Sequence, residues 1–162
     1  MGQQTRTIRA HWDLNYEHAI GPTASHFFDE IKENQKIMGR RCSHCGRVLV
    51  PPRSFCDRCF VETTDWVQVR NEGTVEAFTI VYQAFKGLPD PPYALAYVLL
   101  EGADTAMAGF IRGIDFTHLE QAISRMNIGA RVKVAFAEER KGSILDFWYE
   151  PVYPELSIRK ET

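Results

Sequence analysis

Cys42-Ser43-His44-Cys45 and Cys56-Asp57-Arg58-Cys59 hold every cysteine of the chain in one short stretch. Two residues between cysteines let the backbone fold into a knuckle that aims both sulfurs at one point, and two knuckles supply four thiolates for a closed tetrahedral metal site. Gly46 follows the first knuckle and suits its tight turn, whereas Phe60 follows the second. Ligand softness makes structural zinc on Cys42, Cys45, Cys56 and Cys59 the expected occupant, with iron in the same cage as the alternative. Redox dithiols would each need a strand-turn-helix setting, which is missing, and a disulfide framework would suit a secreted chain. A four-sulfur zinc site has no open coordination position, so it can hold a fold together but cannot activate water. His44 reads as a solvated side chain, and no thiol remains for nucleophilic catalysis.

Working outward, residues 39–64 read as a zinc ribbon, with a strand at Arg47 to Val50 before the Pro51-Pro52 turn. A segment this small buries too little apolar area to stand alone, so its folding is expected to be coupled to metal binding. Before it, Ala24, Phe27, Phe28 and Ile31 fall at i, i+3, i+4 and i+7 and predict an amphipathic helix over 23–38, its regular part running to about Gln35 with Thr23 as N-cap. Residues 1–22 show no period and read as an extended arm that orders against a partner or a second copy, a possible homo-oligomer contact.

After the ribbon, over 65–155, periods of two take over. Trp66 to Val69 leads into the turn at Asn71-Glu72-Gly73, and five main strands follow at Thr74 to Tyr82, Tyr93 to Glu101, Ala106 to Arg112, Arg131 to Glu138 and Ile144 to Tyr149. Between the third and fourth, Thr117 and Glu120 read as a capping box, Leu119, Ala122, Ile123 and Met126 as a buried stripe, and Gly129 as the stop. The expected fold is mainly β: an N-terminal helix, a zinc ribbon, and a five-stranded OB-fold barrel with one helix between strands three and four. Residues 156–162 read as a tail.

Composition narrows the function. At 162 residues with 44% hydrophobic and 25% charged residues, the chain has the balance of a soluble globular protein. No apolar run reaches membrane-spanning length, and Met1 to Ala10 lacks the apolar segment of a secretory signal. Metal-ligating cysteines point to the reducing cytoplasm. A net charge of −2 offers no global attraction for phosphate backbones, so a nucleic-acid-binding ribbon and barrel is the weaker reading. A small iron electron carrier is the other alternative. Phosphate-cradling, nucleophile-elbow and zinc-protease motifs are absent, and the histidines are scattered.

The helix bearing Phe27-Phe28, the knuckles with Gly46 and Pro51-Pro52-Arg53, Trp66, Gly73-Thr74-Val75, the loop Gly87 to Tyr93 and the Gly129 turn together resemble the acyl-CoA-associated family catalogued as domain of unknown function thirty-five. The resemblance covers about residues 24 to 150, with Phe60 in place of glycine as its departure. It implies a rubredoxin-like zinc ribbon, an OB-fold, and a non-catalytic accessory or scaffold subunit in acyl-CoA or lipid metabolism. The implied partner is a thiolase-like protein or another CoA-ester enzyme, with CoA or acyl-CoA as a possible ligand. Candidate cations for its phosphates are Arg53 above all, then Arg40, Arg41, Lys86, Arg131 and Lys133. The partner-facing candidates are Phe85, Leu88, Pro89, Pro91, Pro92 and Tyr93, on a loop that proline stiffens.

Overall fold

A computed structural model of the protein describes residues 7, 17, 19–118, 120, 122–123 and 127–152. The 156–162 tail, nearly all of the 1–22 arm, and with it the proposed homo-oligomer contact, lie outside the described residues.

Helix α1 spans Pro22–Asp29 and runs into a single π-helical segment, Glu30–Asn34. Its N-cap is Gly21 rather than the expected Thr23, because Pro22, with no N–H and a φ already helical, takes the first helical position. Phe27 and Ile31 are buried, and Phe28 packs against the same core. The helix ends before the expected residue 38, since Gln35 turns left-handed at φ 53 and its N–H closes on the carbonyls of Glu30 and Ile31.

Met38 already belongs to strand β1, Met38–Cys42, which pairs with β2, Val48–Leu49, and β3, Thr63–Gln68, in the order β2-β1-β3. A Cβ at Gly39 would come within 2.7 Å of Val48 Cγ1 and 2.8 Å of Val50 Cγ2, so only glycine lets these strands approach. Trp66 therefore lies in the ribbon sheet and not at the head of the barrel. Its ring packs on His26 of α1 at 4.2 Å and lies beneath the Arg40 guanidinium at 5.1 Å.

The barrel comprises β4 Glu72–Val81, β5 Tyr93–Leu100, β6 Met107–Ile111, β7 Arg131–Phe136 and β8 Phe147–Pro151, closed in the order β4-β5-β6-β8-β7. All pairings are antiparallel except β6 with β8, which meet at Ile111 and Tyr149. Period-two burial on β5, with Ala94, Ala96, Val98 and Leu100 inside and Tyr97 outside, shows which face the core claims. Tyr149 fills the barrel and its hydroxyl donates to Met107 C=O at 3.1 Å. The closed five-stranded barrel beside a cysteine ribbon is the expected fold class.

Two local expectations change. Ile144–Asp146 is a 3-10 turn, not the start of β8, because the Asp146 carboxylate is buried and accepts the N–H groups of Lys141, Gly142 and Ser143 at 2.8, 2.6 and 2.9 Å. Before β7 a helical turn is present, with Ala122 N–H bonded to His118 C=O and Ala122 buried. Ile123, however, is 43% exposed and leaves the expected buried stripe, because neighbouring positions on a helix point about 100° apart. Leu119 and Met126 lie outside the described residues.

The ribbon is fastened to the barrel along β2. Val48 donates its N–H to Asp104 Oδ2 at 2.8 Å, and its carbonyl accepts from Asp104 N–H at 2.8 Å. Val50 makes a matching reciprocal pair with the Thr105 side chain. The edge of this short strand is thereby covered by the turn between β5 and β6. No helix among the described residues is long and apolar enough to cross a membrane.

Candidate metal centre

The two knuckles fold alike. Gly46 N–H bonds Cys42 C=O at 2.9 Å, and Phe60 N–H bonds Cys56 C=O at 3.0 Å. Both closing residues adopt positive φ, 75 at Gly46 and 55 at Phe60, so the second knuckle keeps its shape without glycine by holding a phenylalanine in the left-handed region.

The knuckles bring the sulfurs of Cys42, Cys45, Cys56 and Cys59 within 4.8 Å of one another, and Cys45 and Cys56 Sγ stand 3.8 Å apart. A tetrahedron with Zn–S bonds of about 2.3 Å has edges of about 3.8 Å. The four residues thus fit the zinc that would tie the two knuckles together. None of the cysteines is in a disulfide.

The surroundings separate the thiols. Backbone N–H groups of Cys59 and Arg58 draw the Cys56 thiol down to about 7. Burial, reinforced by its three sulfur neighbours, pushes Cys59 up to about 12. One thiolate thus forms easily, and a full set of four needs a cation among them.

Arg47, read from sequence only as the start of a strand, bridges the knuckles. Its guanidinium is nearly buried and pairs with Asp57 at 2.9 Å. Burial presses its charge down, but Asp57 together with the thiolates of Cys56 and Cys45 outweighs this and holds its pKa above the ordinary value. On Asp57, burial pushes the carboxyl up and Arg47 more than reverses it. A cation beside a four-thiolate cage offsets its net negative charge. The sequence signal was the Asp-Arg inside the second knuckle facing an Arg after the first, a pairing visible only once both knuckles are folded.

The six cations named for CoA phosphate are spread over four places, Arg40 and Arg41 on β1, Arg131 and Lys133 on β7, and Arg53 and Lys86 on two different loops. Arg40 donates to Thr63 Oγ1 at 3.0 Å and to the Thr63 carbonyl, and Arg41 donates to Gly46 C=O at 3.0 Å. Arg131 meets Glu101 at 2.5 Å and Glu72 at 3.2 Å, with its bond to Glu101 holding that carboxyl below its usual range, and Lys133 meets Glu150 at 3.4 Å. Arg53 lines a cavity of about 460 Å³ beside the start of α1, while Lys133 lines a different one. Lys86 stands on the exposed loop between β4 and β5. On that loop Phe85 and Leu88 are exposed, whereas Tyr93 is buried with its ring 5.8 Å from Phe110, part of the barrel wall.

Comparison with known proteins matches the same two units. Residues 29–65 match the family described as ChsH2, rubredoxin-like zinc ribbon domain, and residues 66–137 match ChsH2, C-terminal OB-fold domain. A DUF35 domain-containing scaffold protein of Methanocaldococcus jannaschii is 33% identical over 73 residues, which are 44% of this chain and 52% of that protein. The match thus spans about half the length of that relative. Among solved structures, a DUF35-family protein of unknown function from Sulfolobus solfataricus superposes with a TM-score of 0.60 at 26% identity, covering 82% of this chain and 87% of that one. The Ltp2-ChsH2(DUF35) aldolase superposes with a TM-score of 0.64 at 21% identity, covering 83% of this chain and 98% of that one, and shares the fold. With consecutive ribbon and barrel matches laid over a four-sulfur cluster and a closed five-stranded barrel, the chain belongs to the DUF35 family of zinc-ribbon/OB-fold proteins.

Proposed function

We propose that this chain is a non-catalytic accessory or scaffold subunit of an enzyme that acts on CoA esters, with a thiolase-like protein as its partner. The observation that carries the reading is the apolar surface the barrel turns to solvent. Phe78, Leu95, Tyr97 and Ala108 line a groove of about 340 Å³ with almost no polar lining, and Tyr82, Phe85 and Leu88 are exposed beside the adjoining loop. Large apolar surface left uncovered on a small domain marks a contact site. A relative named as a scaffold protein and a fold neighbour named within an aldolase support the same assignment. The metal then serves as a closed structural clip on the ribbon. Unbridged cysteines suit the reducing cytoplasm, where we place the protein.

Within that complex Arg53 is the cation we assign to a CoA phosphate. Its only carboxylate among the described residues is Asp57 at 3.5 Å, which already holds Arg47 at 2.9 Å, so its exposed guanidinium is the less tightly held of the two.

Co-expression with the thiolase-like protein of the same host, followed by size-exclusion chromatography with light scattering, tests the reading. A complex of fixed stoichiometry that persists at moderate salt is expected, with Arg53→Ala leaving assembly intact and weakening CoA retention. Absence of any complex with thiolase-, hydratase- or aldolase-type CoA-ester enzymes overturns it, above all if the chain instead holds single-stranded nucleic acid with a steep salt dependence.

A further inference from the structure

Between the β4–β5 loop and the β7–β8 loop lies a slot of about 290 Å³, lined by Leu88, Pro89, Tyr93, Phe110, Arg112 and Leu145 among others. It opens at the edge of the β5–β6 face, flanked by the two loops across which OB barrels take up ligands. Its walls are apolar, with the Tyr93 and Phe110 rings in contact at 5.8 Å. Its polar end is Arg112.

The Arg112 guanidinium carbon lies over the Trp148 ring, 4.0 Å from its centroid. That ring is itself held: its indole N–H donates to Glu150 Oε1 at 3.0 Å, and Lys133 pairs with Glu150 at 3.4 Å. Arg112 uses its backbone N–H on the Tyr149 carbonyl, but among the described residues its guanidinium has no hydrogen bond or ion pair. Arg47, Arg70, Arg131 and Arg140 all have such partners. With its carbon seated over the ring and no partner for its N–H groups among the described residues, the guanidinium keeps its fork of donors free, and such a fork grips a carboxylate or phosphate with two parallel bonds.

We propose that this slot binds a small amphiphilic oxyanion, an apolar body ending in a carboxylate or a phosphate, with the body against Leu88, Phe110 and Leu145 and the anion on Arg112. The volume lies at the small end of the ~300–1,000 Å³ spanned by ligand pockets, so the body is short. Trp148, Glu150 and Lys133 act as positioning residues that fix the guanidinium before the ligand arrives. Binding here needs no partner enzyme, so the site stands or falls apart from the scaffold reading.

The test is a titration of the isotope-labelled full chain with hexanoate, hexyl phosphate and 1-hexanol, followed by amide, indole and arginine side-chain NMR signals. At least one anion is expected to saturate with a dissociation constant below about 5 mM, moving the Trp148 indole and the Leu88 and Phe110 amides, with 1-hexanol at least about tenfold weaker. Preference for hexanoate or for hexyl phosphate identifies which oxyanion the site takes. Arg112→Gln should weaken the anion at least about tenfold and leave 1-hexanol unchanged, with Arg112→Lys in between. The dispersed spectrum of each variant reports whether it folds, and the alcohol comparison on the unaltered chain stands without them. Equal affinity for alcohol and anions, undiminished anion binding in folded Arg112→Gln, shifts centred elsewhere, or no saturation by either anion overturns the proposal.

Discussion

Val50 N–H donates to the Thr105 hydroxyl oxygen at 2.7 Å, and the same hydroxyl donates back to the Val50 carbonyl at 2.8 Å. One side chain from the barrel thus supplies both backbone bonds that a neighbouring strand would have supplied to the ribbon. Thr105→Val keeps the shape and removes both bonds, so it should cost about 1–3 kcal/mol of stability through groups left unsatisfied. Thr105→Ser keeps the hydroxyl and should cost much less. Urea denaturation of the two variants checks this, and equal stability of Thr105→Val and the parent would remove the clamp from the account.

Metal removal should separate the two units. Structural zinc is worth about 10–16 kcal/mol in small ribbons, comparable to the whole stability of a domain, so the ribbon cannot keep its fold without it. A strong chelator, or Cys56→Ser, should strip amide-exchange protection from the β1–β3 sheet while the barrel strands keep theirs. Metal analysis should return one zinc per chain from colourless protein. A red protein with iron in that stoichiometry would instead favour the electron-carrier alternative.

Phe60 is 77% exposed yet sits at φ 55. The left-handed region costs an L-residue about 1–2 kcal/mol, and glycine forfeits about 0.5–1 kcal/mol of that through its looser unfolded chain. Phe60→Gly should therefore raise stability by about 0.5–1 kcal/mol while removing little buried area. A lower denaturation midpoint than the parent's would mean that the ring contact with Phe55, at 6.2 Å, matters more than the backbone.

Burial is the largest influence on the Asp146 carboxyl and pushes it up. The N–H groups of Ser143, Gly142 and Lys141, with the Ser143 hydroxyl, outweigh it and hold the group below the usual carboxylate range. A folded pKa below the unfolded value of about 3.9 contributes stability that is fully present above that value and is lost as pH falls through the folded pKa. Asp146→Asn should thus destabilise the protein by about 1.5–3 kcal/mol at neutral pH, the range for hydrogen bonds to a charged group. The gap between parent and variant should narrow below about pH 4. A gap independent of pH would show that the carboxylate charge is not what the turn uses.

The architecture was legible because its signals are local. Knuckle spacing sets sulfur convergence, and alternation on β5 sets the barrel face. What escaped depended on partners distant in sequence. Trp66 alternates like a barrel strand, but pairing with Arg40 assigns it to the ribbon. Arg131 and Lys133 looked available for phosphate because Glu72, Glu101 and Glu150 are brought beside them only by the sheet register. Arg112 passed as an ordinary strand-end charge, since nothing in the sequence announces that its guanidinium lies on Trp148. Ile144 and Leu145 read as strand by composition, but the Ser143–Asp146 cap redirects the backbone there.

Thr105 follows Val50 by 55 residues, and this sets a timetable for synthesis. At about 5–20 residues per second, Val50 leaves the ribosome some 3–11 s before the turn that covers its strand, and Cys59, which completes the cage, some 2–9 s before it. During that interval the cage can fill with metal, but the edge at Val48–Leu49 has nothing to pair with. Cells short of zinc would then accumulate nascent chains whose thiols and strand edge are both open, so metal supply should govern the yield of intact protein at translation as well as its stability afterwards.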